Sequence, residues 1–406
     1  MRSELAQYHK GRLTAFAIVS IAALVIGLVL QHHGWQRGWQ IFGVSTRNVA
    51  WLDLRVITAA AQTAAEGGNP YLANPHDPTG RTFNYPSLWL RIFPGNFTSV
   101  ALASVALGFA AAACGTALLW MKSFGARAGA FAGLLLISPS LLLAVERGNT
   151  DLAMFAVVGV SLLALDSRDR LPGYLGIFGL SLASVLKLYP AIALVFVAVA
   201  GPGTLRRVAQ FALVIFAVWL GLHWPETTAS LWNTQIGGVH SYGRTVLPFA
   251  LELYARAHGQ VLDRAPLDLL AKVLTAVILA AMGWFGFKLA AKTQLPEPIT
   301  HREVGFLTGA SIYVLTFLAG SNFNYRLWFL LFTLPWLLPK AGQDHPAARW
   351  ARIALASFFV LAYASAVWWV PLVWVAQAAS WLLFAALTVL LASCATSWLR
   401  RTSTQV

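Results

Sequence analysis

Long apolar stretches alternate with short polar ones along nearly the whole chain, from Leu13 to Trp398. A helix of about 20 apolar residues is long enough to cross the hydrocarbon core of a bilayer. No stretch of soluble-domain composition interrupts the pattern. The sequence therefore predicts an all-α polytopic membrane protein in which residues 1–406 form one integral membrane domain.

The apolar runs predict about twelve transmembrane helices, within a range of 10–12. The runs at 190–200 and 327–338 fall short of about 20 residues, so tilted, extended and re-entrant arrangements all stay open for them. The runs lie at about 13–30, 97–120, 128–145, 151–165, 173–186, 190–200, 208–223, 268–290, 304–320, 327–338, 351–370 and 372–398.

Basic residues test this count because connections rich in Lys and Arg stay in the cytoplasm. With about twelve spans, every second connection carries at least two basic residues. The pattern predicts that this side and both termini are cytoplasmic. The basic residues on the predicted cytoplasmic side are Arg2, Lys10 and Arg12; Lys122 and Arg127; Arg168 and Arg170; Arg206 and Arg207; Lys288, Lys292 and Arg302; Lys340, Arg349 and Arg352; and Arg400 with Arg401.

The opposite, extracytoplasmic side receives the two longest connections, a first loop at 31–96 and a second at 224–267. We expect short helices within these loops, including one from about Leu247 to Ala257. Of the 15 carboxylates in the chain, nine fall on this side, which is where we expect the polar chemistry. They are Asp53, Glu66, Asp77, Glu146, Asp151, Glu226, Glu252, Asp263 and Asp268.

Composition supports the membrane prediction, since 58% of residues are hydrophobic and 11% are charged. The net charge of +14 is scattered between apolar runs, which indicates topology rather than binding of nucleic acid. Cys114 and Cys394 lie in apolar runs without Cys or His at ligand spacing, so no metal site is expected. The first run is long and lacks a cleavage site, which favours an uncleaved helix.

Within the first loop, the polar and aromatic-rich stretch Asp53–Pro86 begins with Asp53, directly before a helical stretch that ends in a Gly pair. An Asp at this point is a natural N-cap. The alternative is a general base at the membrane surface that deprotonates a sugar hydroxyl. Position alone leaves both open.

Two aromatic motifs follow in the same loop, GGNPY at Gly67–Tyr71 and FNYP at Phe83–Pro86. Asn-Pro and Tyr-Pro pairs fix turns, and aromatic rings at this depth anchor a protein in the membrane interface. The same rings can stack on a sugar.

Three further polar segments lie on the outer side. The turn ERGNTD, Glu146–Asp151, is either a solvated hairpin or a set of hydrogen-bonding groups for a sugar, with Arg147 free to pair with an anion. Lys187 and Arg326 each end an apolar run, where a basic side chain either extends to the interface or binds a lipid phosphate. A lone loop His such as His240 is more often neither a base nor a sugar contact.

These motifs resemble glycosyltransferase family 87, bacterial polytopic enzymes of the GT-C superfamily typified by polyprenol-phosphate-mannose-dependent alpha-mannosyltransferases. The similarity covers about residues 50–340 and consists of the early outer Asp, GGNPY, FNYP, the GN turn, KLYP and NYR, in that order. The chain departs from the family pattern at Tyr85-Pro86-Ser87, where a double proline is usual, and at GNTD, where a GQ-type turn is usual. These departures leave the particular sugar open.

The resemblance implies a GT-C fold and inverting transfer of a sugar, most often mannose, from a polyprenyl-phosphate donor to a glycolipid or glycan acceptor outside a bacterial cytoplasmic membrane. It implies Asp53 as catalytic base and Lys187 and Arg326 as donor-phosphate ligands. No cofactor, metal or nucleic acid is expected. The residues expected to line the sugar and acceptor site are Asn69, Tyr71, Tyr85, Asn149, Asp151 and, with least weight, His240.

Two other classes fit the same topology. Twelve spans with both ends inside are also usual for a secondary transporter, although such proteins commonly have related halves and broken helices near the midplane. A membrane polysaccharide polymerase or lipid-sugar flippase would share the substrate class. The sugar, the acceptor, the linkage and the oligomeric state are not encoded in any pattern that we find.

Overall fold

The computed structural model describes residues 2–93, 95–167, 169–201, 203–235, 238, 240–290, 301–364 and 370–404. It is 78% helical. The helices are α1 Arg2–His33, α2 Trp35–Ile41, α3 Leu52–Ala65, α4 Leu88–Ile92, α5 Ser99–Trp120, α6 Ala126–Leu136, α7 Pro139–Arg147, α8 Asp151–Ala164, α9 Arg170–Leu186, α10 Ala191–Ala200, α11 Gly203–Leu222, α12 Trp224–Trp232, α13 Val246–Ala257, α14 Arg264–Ala290, α15 His301–Ala319, α16 Leu334–Ala341, α17 Pro346–Ala364 and α18 Val370–Thr404, with a 3-10 helix at Asn324–Thr333.

Long apolar helices confirm the prediction of a helical, multi-pass membrane protein. Among the described residues, six helices are long and apolar enough to cross a membrane, or seven if α6 and α7, which meet at a 50° bend, form one span. The six are His9–His33 within α1, then α5, α11, α14, α17 and Leu372–Trp398 within α18.

Several predicted runs form helices too short to cross a bilayer upright. The runs at 151–165, 173–186 and 190–200 become α8, α9 and α10, which have 14, 17 and 10 residues. The run at 327–338 is divided between the 3-10 helix and α16. Whether these short helices also cross, and hence the count of about twelve and the side of each terminus, stays a prediction.

The chain divides into two compact units. The first comprises Met1–Gly129 and Leu142–Gln235. In it, α8 packs against α5 and α9, and α11 packs against α9 and α10. Helix α3 from the first long loop packs against α4 and α5. This unit places the first loop beside the start of α8.

The second unit comprises Ala130–Leu141 and Ile236–Val406. Helix α18 packs along α14 and α17, and α15 packs against the 3-10 helix. Two short strands, β1 Ser241–Tyr242 and β2 Asn322–Phe323, pair antiparallel. The Tyr242 ring stacks on Tyr313 with centroids 4.6 Å apart, and this buried pair fixes the second long loop to α15.

The predicted loop helices are present. The stretch after Trp51 forms α3, and α13 covers the segment expected from about Leu247 to Ala257. Helix α12, which begins right after α11 and carries Pro225 in its first turn, was not expected. A proline is well tolerated there because the first backbone N–H groups of a helix have no partner inside it.

Candidate functional site

Asp53 is the second residue of α3 rather than its N-cap. The N-cap position is Trp51, whose φ of 59° makes it, among the described residues, the only one other than glycine in the left-handed region. Such a conformation costs about 1–3 kcal/mol and persists only where surrounding contacts enforce it. Here Trp51 packs edge-on against Trp35 with centroids 4.6 Å apart. The N-cap alternative is therefore wrong.

Both carboxylate oxygens of Asp53 accept hydrogen bonds from side chains. Arg81 donates to Oδ1 at 3.0 Å, and the Asn149 amide donates to Oδ2 at 2.7 Å. Asp53 is only 9% exposed. A carboxylate held at both oxygens has a defined orientation and still offers lone pairs that can accept a proton.

The ERGNTD turn joins Asp53 to the start of α8. Asn149 uses its amide to reach Asp53, while its carbonyl Oδ1 accepts from the Asp151 backbone N–H at 2.8 Å. Glu146, Asn149 and Asp151 are completely buried. The solvated-hairpin alternative is therefore wrong, and the turn is a buried connector.

Gly148 makes this turn possible, because its φ is +59° and a side chain there would lie 3.2 Å from Ala106 Cβ and 3.4 Å from Leu54 Cβ. We expect Gly148→Ala to destabilise the protein by about 1–2 kcal/mol, the cost of placing an L-residue in the left-handed region. Thermal unfolding in detergent measures this. The matched control is Gly115→Ala in α5, where an added Cβ meets nothing within 4 Å and the helix gains in propensity. Equal stability of Gly148→Ala and Gly115→Ala would contradict the conclusion that the turn requires a glycine at position 148.

Asp151 carries the network on to Lys187. Its Oδ1 accepts from the Lys187 ammonium and, at 2.7 Å, from the Tyr189 hydroxyl. The Lys187 ammonium also lies 4.9 Å from the centre of the Tyr85 ring. This cation is held in place by a carboxylate and an aromatic face, so an anion bound here would share it with Asp151.

Hydrogen bonds and a ring contact connect Tyr85 to the other aromatic residues of the first loop. The Tyr71 hydroxyl donates to the Tyr85 carbonyl at 2.9 Å, and the Asn69 side chain accepts from the Tyr71 N–H at 3.0 Å. Burial, with a smaller effect from the charge of Glu226, raises the pKa of Tyr71, which therefore stays a hydrogen-bond donor. Its ring contacts Phe83, with centroids 5.2 Å apart.

Asn233, at the end of α12, holds the first loop through two hydrogen bonds to its backbone. Its side-chain amide donates to the Tyr71 carbonyl at 2.8 Å and to the Phe83 carbonyl at 3.0 Å. One amide group thus satisfies two backbone acceptors of the loop, which holds both aromatic motifs in register.

Glu146 binds the segment that leads into the first loop. Its carboxylate accepts from Trp35 Nε1 at 3.2 Å and Thr46 Oγ1 at 2.5 Å, and it pairs with Arg147 at 3.0 Å. Arg147, expected to be available to an anion, is thus paired inside the protein. The turn therefore anchors three segments. Glu146 holds the stretch that contains Trp35 and Thr46, Asn149 holds the start of α3, and Asp151 holds the segment after α9.

A continuous network in the first unit thus contains seven of the nine residues that the sequence predicts for the site. Its members are Asn69, Tyr71, Tyr85, Lys187, Asp151, Asn149 and Asp53. The other two, His240 and Arg326, belong to the second unit. There the Asn324 N–H donates to the His240 carbonyl at 3.0 Å, and Arg326 lies in the first turn of the 3-10 helix.

Sequence reasoning did not assign Arg81, Asp77 or Tyr189 to the site, although Asp77 is among the carboxylates predicted on the extracytoplasmic side and Tyr189 belongs to the KLYP motif. Arg81 is paired with both Asp53 and Asp77. The sequence does contain a signal for a turn at this point. DPTGR at residues 77–81 combines Asp-Pro with Thr-Gly, which is typical of turns, and its last residue is the cation Arg81. What the sequence lacked was any indication that this turn folds onto Asp53, 28 residues earlier.

A scan of protein-family profiles, a search of curated proteins and a search of solved structures find no match to this chain. The similarity of its motifs to glycosyltransferase family 87 stays a prediction.

Proposed function

We propose that the protein is an inverting membrane glycosyltransferase that moves a sugar, most often mannose in the family it resembles, from a polyprenyl-phosphate donor to a glycolipid or glycan acceptor. The observation that supports this best is the link between Asp53 and Lys187 through the ERGNTD turn. A proton acceptor and a cation are the two groups that such a transfer needs. Here they are held in one buried network.

In the proposed reaction, an acceptor hydroxyl attacks the anomeric carbon of the donor from the face opposite the phosphate. The bond from that carbon to the phosphate oxygen breaks, and the electron pair leaves with the polyprenyl phosphate. The hydroxyl proton passes to Asp53. A single displacement needs one carboxylate, and it inverts the anomeric carbon.

Lys187 stabilises the charge that grows on the leaving phosphate, a role worth a few kcal/mol for comparable oxyanion donors. Asp151 and Tyr189 hold its ammonium in position before the donor binds. Asn69, Tyr71, Tyr85, Asn149 and Asp151 would line the sugar and acceptor site. Arg326, whose guanidinium fork suits a phosphate, and His240 belong to the second unit, and their roles stay predictions of the sequence.

The lipid that copurifies with the protein tests the donor class. We expect organic extraction and mass spectrometry to recover polyprenyl phosphate or its hexose conjugate, at a higher ratio to phospholipid than in the surrounding membrane. An extract that only mirrors the bulk membrane argues against a lipid-phosphate donor.

A secondary transporter is the alternative from another class. It would take up a soluble solute into sealed vesicles without changing it, whereas the proposed enzyme forms a new glycosidic bond. Appearance of an unmodified labelled solute inside vesicles, with no glycosylated product, would favour the transporter.

A further inference from the structure

We propose that Arg81 is a positioning residue for Asp53, and that Asp77 sets how strongly Arg81 acts on it. Arg81 fixes the Asp53 carboxylate through one charge-assisted hydrogen bond, and Asp77 in turn fixes Arg81. This inference rests on the proposed function, in which Asp53 accepts the proton of the acceptor hydroxyl.

The hydrogen bonds of Arg81 show why it positions rather than binds substrate. A guanidinium has five N–H donors. Nε donates to Asp77 Oδ1 at 3.5 Å, Nη1 to Asp53 Oδ1 at 3.0 Å, and Nη2 to Asp77 Oδ2 at 3.2 Å and to the Leu52 carbonyl. Four donations thus go to acceptors of the chain itself, which leaves little capacity for a substrate anion.

Asp77 builds the turn that delivers Arg81. Its Oδ1 accepts from the Thr79 N–H at 2.9 Å, the Thr79 hydroxyl at 2.7 Å and the Arg81 N–H at 3.1 Å. The side chain of Asp77 is completely buried and that of Arg81 is 15% exposed. The turn is therefore preorganised, and water screens the charges only weakly.

Both partners stay charged. Burial favours the neutral form of Asp77, but the charge of Arg81 and the hydrogen bonds from Thr79 and Arg81 outweigh it and hold the pKa of Asp77 below its usual range. Burial likewise disfavours the charge on Arg81, but Asp53 and Asp77 together raise the pKa of Arg81. The cation beside Asp53 is permanent.

Other charged groups surround Asp53 without replacing Arg81. On α3 itself, the Arg55 side chain donates from Nε to the Ala50 carbonyl at 2.8 Å. Helix α4 carries the exposed Arg91, and α5 carries no charged residue. The ERGNTD turn adds Glu146, paired with Arg147, and Asp151, paired with Lys187. Arg81 is the cation that the described residues place in hydrogen-bond contact with Asp53.

Two substitutions should lower kcat for sugar transfer and leave KM for the donor nearly unchanged, because they disturb the orientation of Asp53 and not the Lys187 cation. Arg81→Gln removes the charge-assisted hydrogen bond to Asp53, and we expect kcat to fall by up to about 10²-fold, the usual cost of misplacing a reacting group by about 1 Å. Asp77→Asn keeps the Oδ1 acceptor of the turn but loses the Oδ2 that accepts from Arg81, so kcat should fall by less. Arg81→Lys, which keeps the charge, should recover most of kcat.

A merely structural role predicts a different result: Arg81→Lys would be as inactive as Arg81→Gln, and the loss of kcat would come with a higher KM and a lower stability. Either that outcome or an unchanged kcat in Arg81→Gln overturns the proposal.

Infrared difference spectroscopy gives a readout that does not need transfer. We expect a carboxylate band that Asp53→Asn removes, and we expect its frequency to differ between Arg81→Gln and the otherwise unchanged protein, because the frequency of a carboxylate depends on its hydrogen bonds. A band at the same frequency in both proteins overturns the contact of Arg81 with Asp53. A shifted band in a protein that transfers no sugar leaves the contact standing and refutes the proposed function instead.

Discussion

Replacing Asp53 by asparagine is expected to reduce the rate of sugar transfer by about 10²–10⁴-fold, which is the usual contribution of a general base. Asparagine has nearly the same shape and keeps one acceptor oxygen, but its amide cannot take up the proton of the attacking hydroxyl. Donor binding should change little, because Asn149 and Asp151 lie between Asp53 and the Lys187 cation in the network. Steady-state transfer and donor binding, measured on the same preparation, separate these effects.

Glu66→Gln is the matched control, because it makes the same chemical change in the same loop. Glu66 is exposed and bonded to His76 at 2.7 Å and Gln62 at 3.2 Å, outside the network. We expect its activity to stay within about twofold of wild type, since surface changes of this kind have small effects. An Asp53→Asn protein as active as the Glu66→Gln control would remove Asp53 as the base.

The second large effect is expected at Lys187, where Lys187→Met should destabilise the protein by about 3–5 kcal/mol. The substitution removes the Lys187 cation from the fully buried Asp151 carboxylate, and the Tyr189 hydroxyl carries no charge that could replace it. Loss of one partner of a buried ion pair generally costs more than loss of both. Chemical or thermal unfolding in detergent measures the change.

The double variant Lys187→Met with Asp151→Asn separates stability from function. It should recover most of the lost stability while donor binding stays weak, because neither variant has the cation that holds the donor phosphate. A single variant as stable as wild type would contradict the buried ion pair. Full donor affinity in the double variant would remove Lys187 from the phosphate site.

The helical part of the fold was predictable because apolar runs and scattered basic residues are direct consequences of a bilayer environment. Helices α3 and α13 were predicted within the loops because their boundaries carry clear signals, such as the Gly pair after α3. The short helices α8 to α10 were harder to interpret. Length alone does not separate a tilted span from a buried helix.

The candidate site could be predicted as a set of residues but not as a network. Asn149, Asp151 and Lys187 were assigned to one membrane side from the charge pattern, and the structure connects them by hydrogen bonds. The pairing of Lys187 with Asp151 joins residues 36 positions apart, which no local pattern encodes. Arg81 was missed for the same reason, since the DPTGR turn gives its own shape but not its contact with Asp53.

The left-handed Trp51 was also beyond sequence reasoning. Nothing in the residue type indicates a positive φ, since such a conformation is unfavourable for a bulky side chain. Trp51 packs against Trp35, and it directly precedes the first turn of α3, whose Asp53 bonds to Asn149 and Arg81. The strained residue therefore adjoins the candidate site.

The most direct test of the central claim is transfer of labelled mannose from polyprenyl-phosphate-mannose to a membrane glycolipid fraction in proteoliposomes, with a nucleotide-mannose donor run in parallel. We predict that the wild-type protein forms a labelled glycolipid from the lipid-phosphate donor and none from the nucleotide donor. Failure to transfer any sugar from a panel of polyprenyl-phosphate sugars, by a protein that unfolds cooperatively, would contradict the proposed enzyme.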